Sequence, residues 1–215
     1  MIRFENVTAT YENGSGIFDV TFEVKESELL FLMGPTGSGK TTLLKTIYKD
    51  INIDNGALYI DNQEISKIEK SKIPFLRRNI GMIFQDFKLL SDRTVFENIA
   101  LPLQIEGLNS NDVREKVFDV LDAVQLSGKE QRFPLELSGG EQQRVAIARA
   151  IVKEPKVLLA DEPTGNLDPN ISMEILELLD MATESGTSVI MCTHNYPLIK
   201  YKKRNFLELS EGKIR

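Results

Sequence analysis

Several features that mark particular classes of protein are scarce or absent in this chain of 215 residues. It has one cysteine, Cys192, which excludes an internal disulfide framework and is typical of a reducing compartment. No apolar run approaches the roughly 18–20 residues that a membrane-spanning helix needs. The N-terminal segment MIRFENVTATY alternates like a strand and lacks the apolar core of a signal peptide. We therefore expect a soluble protein that meets a membrane only through a partner.

Basic side chains are also outnumbered by acidic ones. The chain has 26 basic and 32 acidic side chains, a formal net charge of -6. Because nucleic-acid binding depends on neutralising phosphates with Lys and Arg, this balance disfavours nucleic acid as a partner unless a local basic patch exists. The sequence shows no low-complexity segment, repeat or flexible linker, and its length supports one sizeable core. We predict a single domain over residues 1–215.

Three short apolar runs predict the centre of the fold: Leu29–Met33, Val157–Ala160 and Val189–Cys192. Such runs are typical of parallel strands buried on both faces, and buried helix segments are the alternative. Helical spacing of apolar residues over 113–124 and 175–182 favours strands, because strands alternating with helices form an α/β core.

Two further regions surround that predicted core. The N-terminal segment and Ile17–Val24 alternate in a way that predicts an antiparallel β patch. Residues from Phe87 to about Ser127 are predicted to be mostly helical, with an N-cap at Ser110 or Asn111. We place an inserted helical subdomain at about residues 87–150.

Each apolar run ends in polar residues suited to chemistry. The first leads into Gly34–Thr42, the second into Asp161-Glu162 and the third into Thr193-His194. Ligands of open α/β sheets bind beyond the carboxyl ends of the strands. The three runs therefore predict one shared site.

The segment GPTGSGKT matches the phosphate-loop pattern G-x-x-x-x-G-K-[ST], between a predicted strand and a predicted helix. Its glycines let backbone N–H groups surround phosphates, Lys40 is suited to the β and γ phosphates, and the Thr41 hydroxyl is suited to Mg²⁺. A simple glycine-rich turn is the disfavoured alternative. The predicted ATP-binding residues of this loop are Gly34, Pro35, Thr36, Gly37, Ser38, Gly39, Lys40, Thr41 and Thr42.

The carboxylates Asp161 and Glu162 are the predicted centre of hydrolysis. A carboxylate at the end of a buried strand is costly to desolvate, and Mg²⁺ would offset that cost at Asp161. Glu162 is the predicted general base that activates water. The alternative is that Asp-Glu-Pro is only a turn that ends the strand.

Three more residues are assigned to the same site. His194, the only histidine, is predicted to donate a hydrogen bond to the γ-phosphate, although lone histidines are usually structural. Gln85 follows IGMIF and is predicted to contact Mg²⁺ or the attacking water. Tyr11 is predicted to stack on adenine, with a core position as an equal alternative.

A second phosphate-binding type of sequence, LSGGEQQRVAIARA, runs from Leu137 into a helix predicted at Glu141–Val152. With the phosphate loop, Gln85, VLLADEP, GNLD and His194 in this order, nearly the whole chain resembles the ABC-transporter ATPase family. The resemblance implies an α/β P-loop NTPase fold and two copies that pair head to tail. It further implies that the segment LSGGEQ at 137–142, which we call the signature loop, closes in one copy on the ATP held by the other. The residues assigned to that interface are Ser138, Gly139, Gly140, Glu141, Asn166 and Asp168.

Within the family, four stretches resemble the branch that acts in bacterial cell division: 74–90, 92–103, 133–152 and 157–168. That resemblance implies an integral membrane partner of the FtsX type, a location on the cytoplasmic face of the inner membrane, and regulation of cell-wall hydrolysis. Relatives that release lipoproteins or export macrolides share ADEPTGNLD, so they stay as the alternative. Asn195 departs from the family, which usually has Asp there.

Other function classes fit less well. A chromosome or DNA-repair ATPase of this family would need a long heptad insertion, and the segment between Gln85 and Leu137 is too short for one. A small-molecule kinase would leave LSGGEQ and GNLD unexplained. The apolar residues Phe84, Phe87, Leu89, Leu90 and Phe96 are predicted either to pack in the core or to receive a short partner helix. The basic segment 200–204 is predicted to be a solvated face rather than a lipid contact.

Overall fold

The computed structural model describes residues 1–165, 167–195 and 205–215. In these ranges the strands are β1 (Ile2–Thr10), β2 (Gly16–Val24), β3 (Leu29–Met33), β4 (Asn55–Ile60), β5 (Gln63–Glu64), β6 (Ile80–Ile83), β7 (Val157–Asp161), β8 (Ser188–Thr193), β9 (Phe206–Ser210) and β10 (Lys213–Ile214). The α-helices are α1 (Lys40–Ile47), α2 (Ile73–Arg78), α3 (Val95–Glu106), α4 (Ser110–Ala123), α5 (Gly139–Ile151) and α6 (Pro169–Glu184).

The central sheet has the order β10-β9-β3-β8-β7-β6, and the strands from β9 to β6 are parallel. Every residue of β3, β7 and β8 is buried. Strands buried on both faces require side chains that pack in both directions, which is why these three segments are nearly continuous apolar runs. The predicted parallel core is confirmed.

A second, antiparallel sheet has the order β2-β1-β4-β5. Strands β1 and β2 are the patch expected from the alternating N-terminal sequence, and β4 and β5 extend it. The pairing of β1 with β2 shifts register between Phe4 and Val7 and again between Val7 and Ala9. Such irregularities bend an antiparallel pair, and here the buried alternate residues still face the interior.

Two apolar clusters lie on opposite faces of the central sheet. One includes α1 and the antiparallel sheet, with Phe4, Ile17 and Leu43 fully buried. The other packs α3, α4, α5 and α6 against the opposite face, with Phe31 among its buried members. The site described below therefore rests on a sheet that is packed from both sides.

The helical region begins later than the sequence pattern indicates. Residues 84–94 form a loop before α3, so the prediction of helix from Phe87 is wrong at its start. The buried side chain of Asn98 holds this loop by accepting from the Leu90 N–H at 2.8 Å and donating to the carbonyls of Leu90 and Arg93. These bonds give the loop backbone the partners that a helix would otherwise supply.

The cap of α4 also needs correction. Asn109 is the N-cap, not Ser110 or Asn111, because its backbone is extended and its side chain accepts from the N–H groups of Asn111 and Asp112. Helices α3, α4 and α5 occupy most of residues 87–150, while the assignment of that range as a subdomain stays a prediction. No helix within the three described ranges is both long enough and apolar enough to cross a bilayer.

Candidate nucleotide site and signature loop

Strand register brings the three predicted site segments together. Met33 lies beside Thr193, and Cys192 lies beside Asp161. Because β3, β8 and β7 are adjacent and parallel, their carboxyl ends form one continuous edge. The loop after β3, the acidic pair at the end of β7 and His194 after β8 therefore share one site.

The phosphate loop is enclosed by its own chain. Gly34 has φ 149°, and a Cβ there would lie 2.1 Å from the Leu209 carbonyl oxygen. Gly39 has φ 107° and precedes α1, and a Cβ there would meet Ile17 and Leu209 side chains at 3.2 Å. Both positions need glycine because of the left-handed backbone and the close packing. The loop thus delivers the free N–H groups of the first turn of α1 to the sheet edge.

Lys40 places its ammonium within this loop. The side chain is buried, and Nζ donates to the carbonyls of Gly34 at 2.7 Å and Pro35 at 3.1 Å. Nζ also lies 3.5 Å from Glu162 Oε1. The positive charge of the loop and the predicted general base are therefore neighbours.

Asp161 meets the requirements of a cation ligand. Burial raises the pKa of its carboxyl, and the hydrogen bond from Thr41 acts in the opposite direction. Within the described part of the chain, Asp161 Oδ1 and Ser38 Oγ are buried without hydrogen-bond partners. An unpartnered buried carboxylate oxygen beside a hydroxyl fits Mg²⁺, and the Ser38 hydroxyl fits a phosphate.

The three predicted metal ligands line one cavity. Thr41, Gln85 and Asp161 are all on the wall of a space of about 750 Å³. The described residues contain no cluster of three or more His, Cys, Asp or Glu side chains able to hold a metal. A single carboxylate with a hydroxyl and an amide suits Mg²⁺, which takes its remaining ligands from substrate phosphates and water. Gln85 itself is exposed, in the turn after β6.

Glu162 lies between Lys40 and His194. Its backbone is left-handed, with φ 49°, and its N–H donates to the Cys192 carbonyl at 3.1 Å. Its Oε2 is 2.5 Å from His194 Nδ1. A left-handed non-glycine residue costs about 1 kcal/mol, and such residues cluster at functional sites. Lys40 and His194 therefore hold this carboxylate from two sides, just after the end of β7.

The position of His194 restricts its predicted role. Its ring is mostly exposed, and Nδ1 pairs with Glu162. When Nδ1–H donates to a carboxylate, the neutral ring has only an acceptor at Nε2. Donation from Nε2 to a γ-phosphate therefore requires the imidazolium form.

Tyr11 is not a core residue. It is 38% exposed and begins the turn between β1 and β2, where its N–H donates to the Ser15 carbonyl at 2.8 Å. That turn leads to Gly16, whose carbonyl oxygen would be 3.3 Å from a Cβ on Gly39. The turn therefore borders the phosphate loop, and stacking of Tyr11 on adenine stays a prediction.

The second glycine-rich loop caps α5. This helix begins at Gly139, two residues before the predicted start, and ends at Ile151. Ser138 is its N-cap: the Glu141 N–H donates to Ser138 Oγ, while the Ser138 N–H and hydroxyl both donate to Glu141 Oε2. Lys129 donates to the other carboxylate oxygen, Oε1. The hydrogen bond from Lys129, followed by those from Ser138, lowers the pKa of Glu141 to about 2.

The two glycines of this loop differ in their surroundings. A Cβ on Gly140 would be 3.0 Å from the Ile171 side chain of α6, whereas a Cβ on Gly139 would meet nothing within 4 Å. Asp168 caps α6 by accepting from the N–H groups of Asn170 and Ile171. An interface role for Asp168 stays a prediction, and Asn166, like segment 200–204, lies outside the described residues.

Two residues beside the site were missed by sequence reasoning. Lys129 carries no sequence signal, because its contact with Glu141 depends on the turn after α4. Arg149 donates to the carbonyls of Phe87 at 2.8 Å and Lys88 at 2.7 Å, and both of these residues are left-handed. A charge within the apolar run VAIARAIV signals a buried partner, and burial lowers the pKa of Arg149. Arg149 thus holds the loop that follows Gln85.

Curated relatives resemble the chain along its full length. Cell division ATP-binding protein FtsE of Escherichia coli K12 is 47% identical over all of this chain and 97% of its own length. The FtsE proteins of Streptococcus pneumoniae D39 and Bacillus subtilis 168 are 43% and 42% identical, again over all of this chain and 94% of theirs.

Solved structures of ABC transporter cassettes also match the chain along its full length. A dimeric ABC transporter cassette, MJ0796, matches with a TM-score of 0.89 and 34% identity, covering all of this chain and 97% of that one. The same cassette as a dimer bound to ADP and Pi, described as a post-hydrolysis state, also scores 0.89 at 33% identity. The family model for the ABC transporter matches residues 17–165. This chain therefore belongs to the ABC transporter family of ATP-binding, ATP-hydrolysing domains, with FtsE proteins among its full-length relatives.

Proposed function

We propose that this chain is the ATPase subunit of a complex in which two copies close on ATP and move an integral membrane partner. One observation carries the proposal. The sheet edge that would bind the nucleotide already carries the phosphate loop and the two carboxylates. Ser138 and Gly140 contact Glu141 and α6 rather than that edge. A second copy, which the dimeric relatives have, would bring the second loop to the first.

Hydrolysis is assigned to residues of the sheet edge. Lys40 and the N–H groups of the phosphate loop hold the β and γ phosphates, because both present positive charge to anions. Glu162 orients water and accepts its proton, and the Lys40 ammonium lies 3.5 Å from this carboxylate. His194, when protonated, donates to the γ-phosphate. Mg²⁺, held by Thr41 and Asp161 with Gln85 beside them, would neutralise charge on the phosphates.

Closure of the pair is assigned to the signature loop. The open surface at Gly139 and the N-terminus of α5 suit the approach of an anion from another molecule. ATP would then be bound more tightly by the closed pair than by either copy alone, so ATP favours closure and hydrolysis releases it.

A membrane partner is supported by a groove beside the helical region. This groove, of about 360 Å³, lies between α2, β6, α3 and the end of α5, with Phe84 and the largely exposed Ile105 on its wall. Of the apolar residues predicted to pack in the core or to receive a partner helix, Phe84 lines this groove, Phe87 lines the cavity at the nucleotide site and Leu90 is exposed, whereas Leu89 and Phe96 pack against the core. A groove that combines apolar residues with a mostly basic set of charged side chains suits a short amphipathic helix of the partner.

The cell-division role rests on the relatives. It is supported by full-length relatives named cell division ATP-binding protein FtsE. For this chain the proposal adds what the resemblance implies: a partner of the FtsX type, a location on the cytoplasmic face of the inner membrane, and regulation of cell-wall hydrolysis. Between Gln85 and Leu137 the α-helices have 12 and 14 residues, too short for the arms of a chromosome-type ATPase.

The Glu162→Gln variant tests the two-copy mechanism. It keeps the shape of the site but removes the base, so ATP should trap a dimer with almost no turnover. Glu154→Gln, which alters an exposed glutamate paired with Lys116, is the matched control and should dimerise only transiently. Size-exclusion chromatography with light scattering measures the mass. A Glu162→Gln protein that hydrolyses ATP as a monomer would refute the mechanism.

Capture from detergent-solubilised membranes tests the partner. Tagged Glu162→Gln protein with ATP should recover an FtsX-type membrane protein, and Ile105→Glu in the groove should abolish recovery. Met181→Glu, which changes a half-exposed apolar residue of α6, is the control. Recovery of a lipoprotein-release or macrolide-export permease would instead reassign the complex.

A further inference from the structure

Glu141 is an unfavourable residue for a loop that must receive phosphate. Its Oε2 is 2.9 Å from the Ser138 hydroxyl oxygen. A phosphate oxygen that accepts from the same hydroxyl at about 2.7 Å would lie within about 6 Å of this carboxylate. Two negative charges at that separation repel by several times the thermal energy near a protein surface.

The Ser138 hydroxyl also has a competing acceptor. Its single hydrogen is donated to Glu141 Oε2, which accepts the Ser138 N–H as well, at 2.8 Å. To serve a γ-phosphate, the hydroxyl must turn away while the N–H keeps Glu141 in place. The hydroxyl turns away more easily when a cation already pairs with the Glu141 carboxylate.

Lys129 is that cation. It bonds Oε1, the oxygen that Ser138 leaves free, and it is the largest cause of the lowered pKa of Glu141. The ammonium comes from the turn after α4, where the Lys129 N–H donates to Leu126 and the Lys129 carbonyl accepts from the Arg132 N–H.

The turn that carries Lys129 is fixed to the start of α3. The carbonyls of Glu130 and Arg132 accept from the N–H groups of Phe96 and Val95, at 3.0 Å and 2.8 Å. The position of the ammonium therefore follows the first turn of α3, which the Asn98 side chain links to the loop after Gln85.

We propose that Lys129 is a positioning residue of the signature loop: by neutralising Glu141 and holding its carboxylate, it lets Ser138 bind the γ-phosphate of the other copy's ATP. The inference rests on the proposed two-copy mechanism. A partly exposed ion pair adds little to folding stability, so the effect should appear in ATP-dependent dimerisation and not in unfolding.

The test measures the dimer dissociation constant by analytical ultracentrifugation with Mg²⁺ and ATP, in the full chain carrying Glu162→Gln. Lys129→Ala should weaken dimerisation about tenfold for each ATP site and so about a hundredfold for the two sites of a dimer, where tenfold corresponds to 1.4 kcal/mol. Lys129→Arg should retain most of the affinity. Lys116→Ala, which breaks the distant pair with Glu154, is the control and should have no effect.

A second variant separates charge compensation from simple support. Glu141→Gln keeps a side chain that completes the capping box but removes the charge. Adding it to Lys129→Ala should restore dimerisation to the level of Glu141→Gln alone. If Lys129→Ala dimerises normally, or if Glu141→Gln fails to rescue it, this inference is wrong while the two-copy mechanism stands. If the Glu162→Gln background itself stays monomeric with ATP, the two-copy mechanism fails and the inference fails with it.

Discussion

The two glycine-rich loops of this chain are built in opposite ways. The phosphate loop is packed against Leu209 and Ile17, and its lysine is almost completely buried. The signature loop leaves Gly139 open and satisfies Ser138 with its own glutamate. The first loop is enclosed by its own fold, whereas the second leaves an exposed surface, which we assign to the ATP of the other copy.

The two loops also share an arrangement at different depths. Each pairs a glutamate with a lysine, Glu162 with Lys40 in the interior and Glu141 with Lys129 near the surface. We assign the interior pair to the chemistry of ATP, and we propose that the surface pair controls the charge that one copy presents to the other. Under these proposals, the same pair of residue types has different roles according to burial.

The largest effect is expected from Lys40→Ala, which removes the cation from the enclosed loop. A hydrogen bond to a charged group contributes about 1.5–3 kcal/mol, so the affinity for ATP should fall about tenfold to a hundredfold. Isothermal titration calorimetry measures it, with Lys116→Ala as the surface-lysine control. Unchanged ATP affinity would refute the assignment of the phosphate loop.

An intermediate effect is expected from alanine at matched glycines. Gly34→Ala should lower the free energy of unfolding by about 2 kcal/mol, because its Cβ would strike the Leu209 carbonyl. Gly139→Ala should change this free energy by at most about 1 kcal/mol, in the stabilising direction, yet weaken ATP-dependent dimerisation. Urea unfolding and ultracentrifugation measure the two quantities. Equal destabilisation by both substitutions would contradict the contrast between the loops.

The smallest effect is expected from acid. The folded pKa of Glu141 is about 2, below its ordinary value of 4.5. Its capping box and ion pair therefore stabilise the fold above about pH 4.5, and this contribution is lost as the pH falls towards 2. The advantage of the unmodified chain over Glu141→Gln in urea unfolding, about 1 kcal/mol or less, should shrink on lowering the pH from about 6 to about 3. An advantage that grows in acid would show that the pair does not stabilise the loop.

Sequence reasoning succeeded where one local pattern determines one local structure. The apolar runs became buried parallel strands, and the glycine pattern of the phosphate loop became the turn into α1. It failed at the beginnings of two helices, α3 and α4. Residues 87–94 look helical by composition, but Asn98 and Arg149 hold their backbone in a loop. The N-cap of α4 is Asn109, one residue before the first predicted candidate, Ser110. The extended backbone at Asn109 allows its side chain to accept from two N–H groups.

By itself, the sequence determined the family and the order of the site segments along the chain, and it nominated the reacting groups, because each is written in contiguous residues. Only the tertiary structure decided which groups meet. Strand register brought Glu162 to Lys40 and His194, and the turn after α4 brought Lys129 to Glu141. These contacts join residues that are 12 to 122 positions apart in the sequence. Local propensity cannot encode such contacts, because they depend on how the sheet and its helices pack.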